Sequence, residues 1–327
     1  MTINDFLGNN VIKETFLGFL KNKKIPHSII FEGNRGIGKK TFAKIIAQSL
    51  VCNAQTPVAC ENCNACYKAS KDVHPDIIYP QKSGALNTYN VATVREIRKD
   101  AYILPNEADY KIYMFLDADN MNASAQNALL KIIEEPPKNV VFIFTCMSSK
   151  CFLDTIKSRS QLFKLEPPSE DDALAFLKDK FPAFDMIDLK KYLRLASCNI
   201  GEAMTLLSGE GQNEEYFLAE NILKALFVPN EAELLKVAAK IKNDKETFKI
   251  MLNFLFKLLS EALSASVDSS YDACELSKSV AQKISIKKIM ALLDFVNEIS
   301  EDLKKNANFN LLLAYMTSNM FSIVFGF

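Results

Sequence analysis

The sequence predicts an open α/β sheet with helices on both faces, followed by two regions that are entirely helical. A glycine loop follows a short apolar run near the N-terminus, strand-like and helix-like segments then alternate as far as Leu165, and strand signals stop at Ser169. Such alternation is typical of a parallel sheet covered by helices. We predict an α/β core over residues 1–167, a small helical lid over 168–210 and a helical third domain over 211–327.

Composition limits the classes of function. The chain has 327 residues, with 39 Lys and Arg against 39 Asp and Glu, so no overall field attracts it to nucleic acid or a membrane. Apolar runs such as Met251–Leu259 are short and interrupted by Lys257, and we expect no membrane span. Eight cysteines without the basic-then-apolar order of a signal peptide indicate a reducing compartment, so we expect a cytoplasmic protein.

The first predicted strand, Ser28–Phe31, leads into a glycine loop, Glu32–Thr41. Small residues and a lysine stand where a phosphate-binding loop needs them, namely Gly33, Gly36, Gly38 and Lys39. The pattern should continue with Ser or Thr to hold Mg²⁺, but that position is Lys40. Using Lys40 and Thr41 as the Lys-Thr pair loses two matches and gains one. We therefore expect a loop that keeps its outline and has lost its metal ligand.

A cysteine-rich segment follows the helix that leaves this loop. Its four thiols are Cys52, Cys60, Cys63 and Cys66. Four thiolates can close a tetrahedral zinc site, and the short spacers let one loop supply three of them. An iron–sulfur cluster is the competing interpretation, although nothing nearby indicates electron transfer. We interpret the other cysteines and both histidines as structural: Cys146, Cys151, Cys198, Cys274, His27 and His74.

The remaining elements follow in order. We predict strands at Asp76–Tyr79, Lys111–Leu116, Val140–Cys146 and Gln161–Leu165. We predict helices at Val91–Leu104, Ala123–Glu134, Ser169–Lys180 and Leu189–Leu207, with Asn122 as a cap and Ser208–Glu215 as a linker before the last helical region. The pattern thus gives five strands, all before the lid.

A second nucleotide motif should follow the strand Lys111–Leu116 as an Asp-Glu pair, with the aspartate for Mg²⁺ and the glutamate for the attacking water. Asp117 is placed correctly, but Ala118 replaces the glutamate. Asp119 would point to the opposite face of an extended segment. Asp117 could also be only a polar residue at a strand end. Two damaged motifs together indicate an ATPase that has lost its activity.

Several segments resemble bacterial clamp-loader AAA+ subunits. The clearest is Asn127–Pro137 (NALLKIIEEPP), which is similar to the NALLK-x-x-EEPP segment of that family. The others are the cysteine module at 52–66, Val94-Arg95-Glu96 with Pro105, Ser158-Arg159-Ser160 in place of Ser-Arg-Cys, and Asn306–Leu311 in the collar domain. The resemblance covers the whole chain and implies an AAA+ core with a structural zinc module, a lid and a helical collar.

Within this family the damaged motifs indicate a subunit class. Motor subunits, gamma and tau, keep an intact phosphate loop, an Asp-Glu pair and a lid arginine. This chain has Lys40, Ala118 and Gly201 at those places, which resembles the delta-prime class. The resemblance implies a stator that joins gamma/tau and delta subunits to load the sliding clamp onto primed DNA. The predicted nucleotide-binding residues would then be vestigial, with ATP and Mg²⁺ doubtful as cofactors.

Arg159 follows a Lys-Ser pair, and such an arginine is usually a solvated surface group. By resemblance, Ser158 and Arg159 form an arginine finger offered to a neighbouring subunit. Two alternatives remain. One is a working gamma/tau-type ATPase that tolerates Lys40; the other is a zinc-dependent DNA-binding module. The second would need a basic zinc loop, and Cys52–Cys66 contains no Lys or Arg.

Overall fold

The architecture is taken from a computed structural model. It describes residues 1–54, 56–83, 88–208, 213–241, 244–268, 270–304 and 309–326. Parts of the predicted linker Ser208–Glu215 and of the collar motif Asn306–Leu311 lie outside these ranges. The chain forms two compact units. The first contains Met1–Phe176 and Cys198–Glu202; the second contains Leu177–Ser197 and Ala203–Phe327.

The first unit is built on a five-stranded sheet in which all neighbouring strands are parallel. The strands are β1 (Ser28–Glu32), β2 (Ile77–Ile78), β3 (Lys111–Phe115), β4 (Val140–Cys146) and β5 (Gln161–Lys164). Their order across the sheet is β2-β3-β4-β1-β5. The predicted parallel sheet is therefore confirmed, with β1 at an inner position where both of its edges are paired.

Both faces of the sheet are buried. Successive side chains of a strand point to opposite faces, and each set lies in its own core cluster. In β1, Ile29 and Phe31 lie in one core cluster and Ile30 in the other. Strand β3 divides in the same way, with Met114 on the first face and Tyr113 on the second. The nearly continuous apolar run of each inner strand is the sequence signature of this two-sided burial.

Helices cover both faces of the sheet. Those of the first unit are α1 (Asn10–Asn22), α2 (Lys39–Val51), α3 (Asn64–Ser70), α4 (Val91–Asp100), α5 (Ala123–Glu134) and α6 (Asp154–Lys157). Two more, α7 (Glu170–Lys180) and α9 (Ile200–Ser208), contribute residues to both units. Asn122 caps α5 as predicted, accepting from the backbone N–H of Ala125 at 2.8 Å. Helix α4 ends earlier than predicted, at Asp100, and Tyr102 to Leu104 are exposed.

The rest of the second unit is helical throughout its described residues. Its helices are α8 (Met186–Leu195), α10 (Asn213–Ala225), α11 (Glu231–Ala238), α12 (Lys245–Val267), α13 (Glu275–Lys283), α14 (Ile286–Lys304) and α15 (Phe309–Phe325). They share one hydrophobic core, in which Phe248, Leu255 and Leu259 of α12 are fully buried. The predicted all-helical C-terminal region is confirmed for these residues.

Within the described residues, one segment, Thr247–Val267, has the length and apolar composition of a membrane-crossing helix. The core helix of a soluble protein can satisfy the same two criteria. The apolar run Met251–Leu259 is part of α12, which has 23 residues, so the short length of the run does not argue against a membrane span. The expectation that no segment spans a membrane remains a prediction.

Candidate functional site

The predicted phosphate loop joins the end of β1 to the start of α2. Gly36 and Gly38 have φ angles of 84° and 90°, in the left-handed region that favours glycine, and Gly38 precedes the first turn of α2. The backbone N–H of Gly33 donates to the carbonyl oxygen of Cys146 at 3.2 Å, which anchors the loop to β4. The glycines therefore lie in one turn at the N-terminus of a helix, as the sequence predicts.

Lys39 is turned back onto its own loop. Its Nζ donates to the carbonyl oxygens of Gly33 at 2.6 Å and Asn34 at 2.8 Å. The side chain is buried, and burial lowers the pKa of Lys39, while Asp119 and Asp117 act to raise it. The ammonium group thus has partners within the protein, at the place where an active loop would direct it to phosphate oxygens.

The segment 199–202 covers one side of the loop. Asn199 Nδ2 donates to the carbonyl oxygen of Arg35 at 2.6 Å, and the backbone N–H of Gly201 donates to the carbonyl oxygen of Gly36 at 3.2 Å. A Cβ atom on Gly201 would lie 2.8 Å from the Cα of Gly36, and one on Gly36 would lie 2.7 Å from Asn199 Oδ1. The two glycines therefore allow a backbone approach that any side chain would prevent.

Phe6 covers a second side of the loop. A Cβ atom at Gly38 would lie 2.9 Å from Cε2 of the Phe6 ring. Phe6 is 6% exposed, and its ring packs against that of Phe42 of α2 with a centroid distance of 4.8 Å. The N-terminal segment is thus held against the first turn of α2, beside the phosphate loop.

The position of the missing metal ligand carries an ion pair. Lys40 Nζ contacts Asp117 Oδ2, and Lys82 Nζ donates to the carbonyl oxygen of Asp117 at 3.0 Å. Asp117 lies two residues beyond the end of β3 at Phe115, and its φ of 48° is in the left-handed region. Ala118 is 1% exposed, so a glutamate there would start from a buried position. Asp117 therefore contacts two lysines, Lys40 through its carboxylate and Lys82 through its carbonyl oxygen.

Asp119 follows the turn at Asp117. Because Asp117 adopts a left-handed conformation, the segment is not extended, and both carboxylates act on Lys39. Asp119 Oδ1 also accepts from the backbone N–H of Met147 at 2.6 Å. Asp119 therefore shares the surroundings of Lys39 with Asp117, while Ala118, at the position of the missing glutamate, is buried.

The four predicted cysteines come together. Their sulfur atoms all lie within 4.8 Å of one another, with 4.0 Å between Cys52 and Cys63 and 3.9 Å between Cys60 and Cys66. Zinc–thiolate bonds of about 2.3 Å in a tetrahedron put sulfur atoms about 3.8 Å apart. The spacing thus suits a single ion, and a cluster of several irons would need more widely spread thiolates. This group could hold a zinc ion.

Backbone donors around the cysteines favour thiolates. The N–H groups of Ala54 and Cys60 point to Cys52 Sγ at 3.4 and 3.3 Å, and that of Cys66 points to Cys63 Sγ at 3.4 Å. Burial acts to raise the pKa of the Cys63 thiol, but the N–H groups of Cys66 and Asn53 lower it to about 6. Burial raises the pKa of Cys66. Metal binding requires all four thiols to be deprotonated, which a cation would drive.

Arg159 lies just beyond α6 and is about two-fifths exposed. Its Nη1 donates to the carbonyl oxygen of Thr155 at 3.1 Å and to Ser158 Oγ at 3.2 Å. Its Nη2 pairs with Oε1 of Glu134, the last residue of α5, at 3.1 Å. The predicted pair Ser158 and Arg159 is therefore in contact, and Glu134 also holds the guanidinium.

Three contact residues were missed from the sequence: Phe6, Asn199 and Glu134. Glu134 is the first residue of the EEPP segment, and Asn199 stands two residues before Gly201. The combination of a glycine at 201 with a glycine at 36 is the one sequence signal of the close approach. No pattern around Phe6 distinguishes it from an ordinary core phenylalanine.

Two family models match the chain. The model described as DNA polymerase III, delta subunit, matches residues 8–169. The model described as DNA polymerase III, delta subunit, C terminal, matches residues 213–318. The first match contains the phosphate loop, the four cysteines and Arg159, and the second lies in the helical unit. Together the two models account for most of the chain.

Relatives with two subunit names match at similar identity. DNA polymerase III subunit gamma of Buchnera aphidicola subsp. Schizaphis graminum is 28% identical over 315 residues, which are 93% of this chain and 85% of the relative. DNA polymerase III subunit delta' of Haemophilus influenzae is 26% identical over 280 residues, 83% of this chain and 81% of the relative. Identity alone therefore does not separate the two kinds of subunit.

The chain also aligns with a solved structure. The crystal structure of a DNA polymerase III gamma subunit-related protein from Thermotoga maritima is 17% identical, and the alignment covers 94% of this chain and 98% of that one, with a TM-score of 0.47.

Proposed function

Since the chain belongs to the clamp-loader subunit family of DNA polymerase III, we propose that it is a subunit of the delta-prime type, which does not hydrolyse ATP. In this role it assembles with gamma/tau and delta subunits of the loader, in the cytoplasm, and helps to place the sliding clamp on primed DNA. The observation that carries the proposal is the phosphate loop covered by Asn199 and Gly201.

A covered loop cannot accept a nucleotide without rearrangement. A phosphate binds such a loop through free backbone N–H groups and the lysine ammonium. Here the backbone of Gly201 lies against Gly36, and Lys39 is bonded to two carbonyl oxygens of the loop. Nucleotide binding would have to replace these contacts, and the buried lysine would lose partners before gaining new ones.

The metal chemistry is also missing. Phosphoryl transfer by enzymes of this loop type needs Mg²⁺ held by a hydroxyl of the loop and an aspartate of the second motif. Lys40 supplies an ammonium in place of the hydroxyl, and that ammonium pairs with Asp117. A fixed positive charge next to the only remaining ligand opposes the entry of a divalent cation. We infer that the site is silent in both binding and hydrolysis.

The subunit can still act on hydrolysis by a neighbour. Arg159 is exposed and held at the end of α6, and its guanidinium keeps its charge at any physiological pH. An arginine supplied in trans stabilises the charge that develops on the transferred phosphoryl group. We propose that Arg159, with Ser158 beside it, completes an ATP site whose nucleotide is bound by the adjacent gamma/tau-type subunit.

For the cysteine cluster we propose a structural zinc ion. The sulfur spacing and the N–H donors support a closed site with four thiolates. Such a site has no open position for a reacting water, so its contribution is to the folding of the loop 52–66.

One finding favours a second function, that of an ATP-hydrolysing gamma/tau-type motor. The Buchnera relative that aligns with 93% of this chain is named a gamma subunit. This alternative requires segment 199–202 to leave the loop and Lys40 to release Asp117.

A nucleotide assay separates the two functions. The isolated full-length chain is titrated with ATP and Mg²⁺ by calorimetry, and its hydrolysis is followed with and without clamp and primed DNA. We expect no measurable binding at millimolar ATP and hydrolysis at background. A gamma/tau subunit prepared in parallel serves as positive control. Binding or turnover that disappears in a Lys39→Ala variant would contradict the proposal and support the motor.

A further inference from the structure

Arg159 is fixed by acceptors on two helices. The carbonyl oxygen of Thr155 and the hydroxyl of Ser158 take hydrogen bonds from Nη1, and the carboxylate of Glu134 pairs with Nη2. Ser158 Oγ itself donates to the carbonyl oxygen of Thr155 at 3.1 Å, which fixes the hydroxyl. The guanidinium has five N–H groups, so these contacts leave donors for a further acceptor.

Glu134 lies on a helix that is packed against the core. It is the last residue of α5, whose Leu129, Ile132 and Ile133 are buried against the sheet. The side chain itself is 44% exposed and that of Arg159 is 40% exposed. The packed helix α5 therefore holds the backbone of Glu134 in place beside the flexible side chain of Arg159. Among the described residues, Glu134 is the one charged acceptor of Arg159.

We propose that Glu134 is the positioning residue of Arg159. Its carboxylate keeps the guanidinium in one orientation, with free N–H groups available for the phosphoryl group transferred in the neighbouring subunit. This inference rests on the proposed function. A free arginine side chain has about 2 kcal/mol of rotamer entropy to lose on ordering, so an arginine ordered in advance gives more of its interaction energy to the transition state.

The strength of the ion pair suits this role. Exposed pairs contribute little to stability, and this one joins neighbouring helix ends without filling a core. Removing Glu134 is therefore expected to leave folding and assembly unchanged, while Arg159 samples more rotamers. The effect should appear in turnover by the neighbour's site, with little change in the KM for ATP, because the nucleotide is bound by the other subunit.

The test uses a loader reconstituted from full-length subunits. ATPase stimulated by clamp and primed DNA is measured with wild type, Arg159→Ala, Glu134→Ala and Glu134→Gln chains. The turnover lost in Arg159→Ala defines the Arg159-dependent part. Glu134→Ala should lower that part about five-fold at unchanged KM, equivalent to about 1 kcal/mol at 1.36 kcal/mol per ten-fold. Glu134→Gln keeps an acceptor oxygen, so this variant should retain more than half of the Arg159-dependent turnover of the wild type.

Two controls make the result specific. Glu135→Ala removes the adjacent exposed glutamate and should leave turnover unchanged. In an Arg159→Ala background, Glu134→Ala should have no additional effect, because its only action is through the arginine. A Glu134→Ala loader with full Arg159-dependent turnover, or one with the same loss in both backgrounds, would overturn the inference alone. Wild-type turnover of the Arg159→Ala loader would overturn the arginine finger as well.

Discussion

The carboxylate of Asp76 is completely buried at the start of β2 and ties a loop to the sheet. It accepts from the backbone N–H groups of Asn106 at 2.6 Å, Glu107 at 2.7 Å and Ala108 at 2.9 Å. Burial acts to raise the pKa of Asp76, but these donors lower it below its ordinary value. The charge is therefore a stabilising element of the loop that leads into β3.

We predict that Asp76→Asn destabilises the protein by about 3 kcal/mol at pH 7, since an amide replaces a charged acceptor of several hydrogen bonds. The folded-state pKa of Asp76 lies below its unfolded value of about 3.9. Its contribution is thus complete above that pH and is lost as the pH falls through the folded pKa. The gap between the two proteins should be constant from about pH 7 to 5 and narrow below about pH 4.

Urea unfolding at several pH values measures this gap. Asp109→Asn, which changes an exposed aspartate in the same loop, is the matched control and should stay within about 0.5 kcal/mol of wild type. Equal stability of Asp76→Asn and wild type at pH 7 would show that the buried charge does not hold the loop.

Among single residues, the sequence predicted those that are brought together by short spacing along the chain. The four cysteines and the glycines of the phosphate loop lie within short segments, and the structure brings each set together. Contacts between distant segments were not predictable, such as Asn199 with Arg35, because no local pattern encodes them.

The cysteine loop is an element with little regular structure of its own. Between the end of α2 and the start of α3 at Asn64 no helix or strand is formed by the described residues. Helix α3 has 7 residues, and the side chain of Cys63 caps its first turn by accepting from the N–H of Cys66. In a loop without regular secondary structure, a metal ion that joins the four sulfur atoms would contribute to its order.

We predict about one zinc per chain in protein purified without added metal, and a loss of most of it in Cys63→Ser, because a neutral hydroxyl replaces a thiolate ligand. Hydrogen exchange over residues 52–66 should become faster in that variant. Metal analysis by mass spectrometry provides the count. Cys274→Ser, a cysteine of the helical unit that caps α13, is the control and should keep the metal. Iron, or full zinc in Cys63→Ser, would contradict the proposed site.

The strands could be predicted closely because their apolar runs are bounded by turn residues. Strand β4 has the predicted limits, Val140–Cys146, and β1 extends one residue beyond its predicted end. Helix limits were less accurate. Helix α4 ends at Asp100, and Tyr102 to Leu104, which extend the apolar pattern in the sequence, lie beyond its end and are exposed. Apolarity in a sequence does not distinguish side chains that pack within the chain from those that do not.

At the scale of the whole chain, fourteen residues of the predicted lid belong to the α/β unit, namely 168–176 and Cys198–Glu202. Cys198–Glu202 joins that unit through its contacts with the phosphate loop, whereas the sequence suggested a continuous lid over 168–210. The three-part division therefore remains a prediction beside the two compact units. The covered loop and the exposed arginine are both in the first unit, so one α/β core combines a silent site of its own with a group for another.

We propose that this chain hydrolyses no ATP and supports hydrolysis by its neighbour. The most direct test compares loaders reconstituted with wild-type chain, Arg159→Ala and Arg159→Lys, measuring stimulated ATPase and clamp loading on primed DNA. An arginine finger is worth about 10³–10⁵ in rate at its own site, and lysine lacks the planar fork. We predict intact assembly, a partial loss of total ATPase in both variants and a larger loss of clamp loading. Wild-type loading by the Arg159→Ala complex would contradict the account.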